Sequence, residues 1–282
     1  LKVLFPRLLE SPLQRRLFDD EAIVAARLSH PNVVTVFDAE FSAAERTAYI
    51  AMELLEGRTL KKLLREAAPM SPDVILPIAI EICSALAAAH SAQVIHRDLK
   101  PANIMLDRSD GFEVPKVLDF GIAKILSDGP QMTREGAVIG TPHFMPPEQL
   151  KGQIDLDHRA DIYALGCVAY WLLTGEMVFT GSVMTVLTGH VYRDPDPPSL
   201  RCEEPVPPDL EAAVMACLAK EPSERPQSAA ALADLLAGCA CASQWSEKAA
   251  APWWANYMPG VGLPQEEAPA ETVALTQSAL LG

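Results

Sequence analysis

Positive charge is scarce in this chain. Lysine and arginine number 23 against 37 aspartates and glutamates in 282 residues, a net charge of −14. Nonspecific nucleic-acid binding needs clustered Lys and Arg, so that class is excluded, while a local site for an anionic ligand is not. Paired cysteines are also missing. Cys83, Cys167, Cys202, Cys217, Cys239 and Cys241 are scattered, form no C-x-x-C pair and have no histidine cluster beside them. That argues against a zinc site or a disulfide framework, and the expectation is reduced core thiols in a cytoplasmic protein. No apolar run reaches the length of a membrane span. The most apolar stretch, Ile162 to Leu173, is short and is interrupted by tyrosines and Gly166. No signal-peptide pattern opens the chain and no internal repeat recurs. The first residue is Leu1, not Met, so a fragment is expected.

What is present is an ordinary globular composition, 49% apolar and 21% charged, and a length that can bury a real core. Lys2 to Phe5 reads as the end of a strand. Ser11-Pro12 reads as a helix start, followed by an apolar stripe at Leu13, Leu17, Val24 and Leu28. Glu21 falls into that stripe. A carboxylate on a buried face asks for a cation, and Lys2 is a candidate; the alternative is Glu21 at the stripe's edge in water. "NVVTVFDAEF" and "TAYIAMELL" read as two strands, and Gly57 breaks the pattern. Ser71-Pro72 opens an Ala-rich buried helix, "KVLDFGIAK" a short strand, and residues 127–150 a long unpatterned loop. "ADIYALGCVAYWLLTG" predicts a central buried helix, with two more at "PPDLEAAVMACLAK" and "SAAALADLLAG". Strands first and helices after imply an α+β chain with two lobes and a hinge near Met52 to Gly57.

One stretch is chemically unusual. "VIHRDLKPANIML", Val94 to Leu106, packs His, Arg, Asp, Lys and Asn between apolar shoulders. It reads as strand, polar loop, strand, the mounting common for catalytic groups.

"HRDLKPAN", then "DFG", then "GTPHFMPPEQ" together resemble the protein kinase superfamily, in wording nearest to bacterial eukaryotic-like serine/threonine kinases. The resemblance implies a bilobal kinase-like fold over residues 1–238, with a first lobe at 1–52, a hinge at 53–57 and a helical lobe at 58–238. Residues 239–282 would form a tail carrying Trp245, Trp253 and Trp254. It implies ATP and Mg²⁺ as cofactors, protein Ser/Thr hydroxyls as acceptors, autophosphorylation, and a homodimer through the first lobe. Asp98 would orient or accept the hydroxyl proton and Lys100 would face the transferring phosphate. Asn103 and Asp119 are hard oxygen ligands suited to Mg²⁺. Lys2 would contact the α- and β-phosphates and pair with Glu21. Met52, Glu53 and Leu55 would line the nucleotide at the hinge. Arg97 would receive a phosphorylated Thr133, and Thr141 would shape the substrate site. His96 would be a packing residue and Phe120 would lie under the Glu21 helix. Glu148 with Arg225, and Asp161, would be structural supports.

The family's G-x-G-x-x-G loop would precede Lys2, and the sequence as given starts at Leu1, so weakened activity is expected of it. The usual Ala-Pro-Glu is Pro146-Pro147-Glu148, and Phe144 stands where Tyr or Trp is usual. Two other readings follow: a non-catalytic kinase-fold binding module, and a small-molecule phosphotransferase of related fold. The latter needs no "GTPHFMPPEQ" segment.

Overall fold

The computed structural model describes residues 2–4, 28–42, 47–108, 113–120, 142–153, 155–242 and 256. Glu21, Thr133, Thr141 and the three tail tryptophans lie outside the described residues, as does the Ser11-Pro12 helix start. Strands β1 (Lys2–Leu4), β2 (Val36–Ser42) and β3 (Thr47–Met52) form an antiparallel sheet in the order β1-β3-β2. Lys2 is the register partner of Ile50. The "NVVTVFDAEF" strand begins later than its composition implies. Asn32 and Val34 give their backbone groups to Val117 instead, and Val33 makes a single parallel bridge with it.

A second small sheet belongs to the helical lobe. It joins β4 (Gly57–Thr59), β5 (Ile104–Asp107) and β6 (Val114–Val117). Gly57 therefore starts a strand where the sequence reading had a break. A Cβ there would lie 1.8 Å from the Leu106 carbonyl oxygen, so only glycine permits the pairing.

Helix α1 (Leu60–Ala67) escaped the sequence reading. Its buried Leu60, Leu63, Leu64 and Ala67 repeat at i, i+3, i+4 and i+7, and the Thr59 hydroxyl caps it by accepting from Lys62 N. Helices α2 (Pro72–Ser91) and α4 (Arg159–Thr174) form the centre of the lobe, with α3 (Pro147–Leu150) between them in sequence. Around them pack α5 (Val183–Tyr192), also unanticipated, α6 (Pro208–Cys217) and α7 (Ala229–Ala237). The stretch expected to be featureless to Leu150 contains α3 and a helical turn at Pro142–Phe144.

Helix α2 is the one described helix long and apolar enough to cross a membrane by those measures alone. Its apolar side chains from Val74 to Ala89 are instead part of the core, and it packs against α4 and α7. The six thiols are all free, and five are buried.

Candidate active site

The polar loop from His96 to Asn103 is built from the core outward. The chain leaves α2 through Gln93, at φ 61°, with Val94 N donating to the Ala89 carbonyl. The Val94-Ile95 shoulder is consequently no strand. The next two N–H groups find a carboxylate instead of a ladder. His96 N donates to Asp161 Oδ2 and Arg97 N to Asp161 Oδ1, both at 2.8 Å. Asp161 sits in the first turn of α4 and is 1% exposed, and the same Oδ2 lies 2.8 Å from His90 Nε2. A buried carboxylate that accepts this many bonds satisfies itself and fixes the loop. Arg97 completes the bend at φ 62°, in the left-handed region.

His96 is fully buried. Its Nε2 donates to the Leu118 carbonyl at 2.9 Å and its Nδ1 accepts from Asp98 N at 3.2 Å. Those two bonds require the neutral Nε2–H form. Burial pushes its pKa below the ordinary value, against the pull of Asp161 and the Leu118 carbonyl. Its ring lies 4.9 Å from that of Phe120. His96 is thus a brace between the loop and the Asp119 segment.

The loop brings three of the expected groups together. Lys100 Nζ lies 2.6 Å from Asp98 Oδ2. Asn103 Nδ2 donates to the Asp98 carbonyl at 3.0 Å and approaches Asp98 Oδ2 at 3.4 Å. With its nitrogen so committed, Asn103 offers its Oδ1 as the remaining acceptor. Asn103 closes a helical turn over Pro101–Asn103 and leads into β5. Its carbonyl accepts from Leu118 N at 2.8 Å, which ties it to the residue before Asp119. Asp119 has φ 57°, a conformation few non-glycine residues adopt.

Next to Asp119 lies a small crevice. Val33, Val34 and Val36 form one wall, Ile50 and Met52 a second, and Asp119 and Phe120 the floor. Met52 is thus placed at the cavity. Leu55 and Glu53 do not line it. The Glu53 carboxylate is turned to Lys116, at 2.8 and 2.9 Å, and accepts from Thr35 N at 2.7 Å. Burial would raise its pKa, but the bonds from Lys116 and Thr35 outweigh that and hold it below the ordinary value. Lys116 and Thr35 were passed over in the sequence. The available signal was a lysine at an alternate position in an otherwise apolar strand.

The far side of the lobe is closed by Arg225 and Glu148, paired through two bonds of 2.7 and 2.8 Å and almost wholly buried. Arg225 also donates to the carbonyls of Ala219, Arg159 and Lys220, so its guanidinium is well satisfied. Such a pair fixes geometry more than it adds net stability.

Comparison with known proteins agrees with this arrangement. Residues 8–236 match the protein kinase domain family. The chain is 43% identical over 241 residues to serine/threonine-protein kinase PknB of Mycobacterium leprae, covering 84% of this chain and 38% of that one. It is likewise 43% identical over 238 residues to serine/threonine-protein kinase pkn3 of Myxococcus xanthus, covering 82% and 43%. It thus spans about two fifths of the length of these relatives. The crystal structure of the Mycobacterium tuberculosis PknI kinase domain superposes with a TM-score of 0.64 at 27% identity, covering 83% of each chain. A buried carboxylate bracing an Asp-Lys-Asn loop, a second aspartate beside a small crevice, and these matches lead to one conclusion: the chain belongs to the protein kinase domain family and has its α+β fold.

Proposed function

We propose that this chain is a serine/threonine protein kinase that moves the γ-phosphate of ATP to Ser or Thr hydroxyls of proteins, acting in the cytoplasm. The observation that carries this reading is the convergence of Asp98, Lys100 and Asn103 on one braced loop, with Asp119 tied to it through Leu118. Serine/threonine specificity is supported by Lys100 and by the printed names of the relatives.

The chemistry follows from charge and reach. The acceptor hydroxyl oxygen would bond to the γ-phosphorus while the bond from phosphorus to the bridging oxygen of ADP breaks. The hydroxyl proton would pass to the Asp98 carboxylate. Lys100 is already at that carboxylate, so its ammonium can follow the charge that builds on the transferring phosphate. The donor set fits a hard cation, since Asn103 presents a carbonyl oxygen and Asp119 a carboxylate. Bound Mg²⁺ would supply charge neutralisation to the phosphates. The Met52 wall of the crevice would take the adenine, with the backbone of Glu53 and Leu55 beside it. Lys2 with Glu21, and Arg97 with a phosphorylated Thr133, extend the proposal to residues whose side chains lie mostly outside the described ones. Autophosphorylation would supply that group, and Thr141 would border the acceptor.

The test is ATP-dependent phosphate transfer to a protein acceptor, with Asp98→Asn as control. We expect a loss in kcat of about a thousandfold with nucleotide binding retained. A folded, nucleotide-binding wild-type chain with no transfer would instead favour a non-catalytic binding module. Transfer to small alcohols but not proteins would favour a small-molecule phosphotransferase.

A further inference from the structure

Lys116 is placed where it can act on the nucleotide without touching it. It stands in β6, three residues before Asp119, and its ammonium bridges both carboxylate oxygens of Glu53, the residue after β3. Glu53 is held in two further ways: its carboxylate accepts from Thr35 N at 2.7 Å, and its own N–H donates to the Thr35 carbonyl at 2.9 Å. The side chains of the pair are 14% and 22% exposed, so solvent screens them only in part. The segments joined here are those that wall the crevice: residues 33–36, the end of β3, and the approach to Asp119.

We infer that the Lys116–Glu53 ion pair presets the span between the hinge and Asp119, making Lys116 a positioning residue for the nucleotide. This rests on the kinase reading for the identity of the ligand. A ligand that reaches from the Met52 wall to Asp119 needs that span fixed before it binds. A lysine on the floor strand gripping the hinge carboxylate does this directly, because one end moves with Asp119 and the other with the hinge. Without it, the walls remain joined by the backbone bonds of residues 32–35 to Val117 and Glu53, and binding must bear the cost of ordering the span.

The experiment measures Kd for a non-hydrolysable ATP analogue with Mg²⁺, and kcat and both KM values, in Lys116→Met, Glu53→Gln, the double variant and Lys116→Arg. Each single change should raise Kd and KM for ATP about fivefold, as expected for a partly screened pair. The double variant should be no weaker than the worse single one, since both break one interaction. Lys116→Arg should recover most of the affinity, and KM for the protein acceptor should stay within about twofold. An unchanged Kd in Lys116→Met overturns the inference, whether or not kcat falls, as does tighter binding or a raised kcat. A wild-type chain without transfer would defeat the kinase reading alone, because the Kd series still decides the role of Lys116.

Discussion

Helix α4 hides every residue from Ala160 to Tyr170, whereas strand β2 leaves Phe37 68% exposed. Around α4 the helical lobe is held by close packing, and its few buried charges are saturated with partners. Around the crevice, apolar side chains such as Val33, Val34 and Ile50 form the walls, and a short series of hydrogen bonds ties their segments together: Asn32 to Val117 and Pro115, Thr35 to Glu53, and Glu53 to Lys116. The two regions meet at the loop from His96 to Asn103. Its backbone belongs to the packed side, through Asp161, while the Asp119 segment is shared with the hydrogen-bonded side, through β6. The difference teaches where rigidity is needed. The proposed proton and phosphate chemistry demands close placement of its groups, and the loop that would carry it sits on the packed lobe. The nucleotide proposed above would need a wall that adjusts on entry and release, and individually weak hydrogen bonds tie the segments of that wall together.

Acid should separate the regions most. His190 lies in the packed lobe, with Tyr163 Oη 2.8 Å from its Nδ1. Burial, with help from Lys220 and His143, lowers its pKa to about 3. The unfolded chain protonates the same ring near 6.5, so between those values the unfolded state binds more protons. Stability therefore falls as pH falls through that window, by on the order of 5 kcal/mol in all. Glu53 contributes in the opposite chemical sense but later. Its folded pKa is below its ordinary 4.5, so its contribution is intact above 4.5 and is lost only below. Hydrogen exchange during an acid titration should show the α4–α6 region loosening before the Glu53 contacts do, and His190→Phe should flatten the early limb. Simultaneous loss at pH 4 would break the comparison.

Arg225→Met comes next. It leaves Glu148 buried without its cation, at a cost of about 4 kcal/mol in urea unfolding. Asp161→Ala strands the His96 and Arg97 N–H groups and should cost about 3 kcal/mol, with kcat lowered as well because the loop loses its anchor. Gly166→Ala would set a Cβ 2.6 Å from Cys217 Cβ, an overpacking worth about 2 kcal/mol with little change in nucleotide affinity. Smallest in stability is Lys116→Met, at about 1 kcal/mol or less, which should nonetheless change nucleotide affinity. The comparison is sharpened if changes in the packed lobe and at the crevice separate in this way, stability from affinity.

The polar loop was legible because its residue types are out of place between apolar shoulders, and the family resemblance supplied roles that spacing could not. The large helices were legible from their uniform apolarity and from Ser-Pro and Gly punctuation. What escaped was smaller or shared between segments. The i, i+3, i+4, i+7 pattern of Leu60 to Ala67 was present but short. Gly57 read as a breaker because the Leu106 carbonyl that requires it is 49 residues away. The pairing of the Glu53 carboxylate was not legible because its partners, Thr35 and Lys116, come from two other segments, and no local pattern records such a meeting. The Val94-Ile95 shoulder read as strand because nothing nearby in sequence announces that the following N–H groups are claimed by Asp161.

That claim has a consequence for transplantation. Residues 96–103 hold the groups proposed for the chemistry, yet the shape of the His96-Arg97 backbone is stored in an aspartate more than sixty residues downstream. The loop is not a portable cassette. Moved to another scaffold with every side chain intact, it would arrive without its mould, and a redesign must carry the start of α4 along with it.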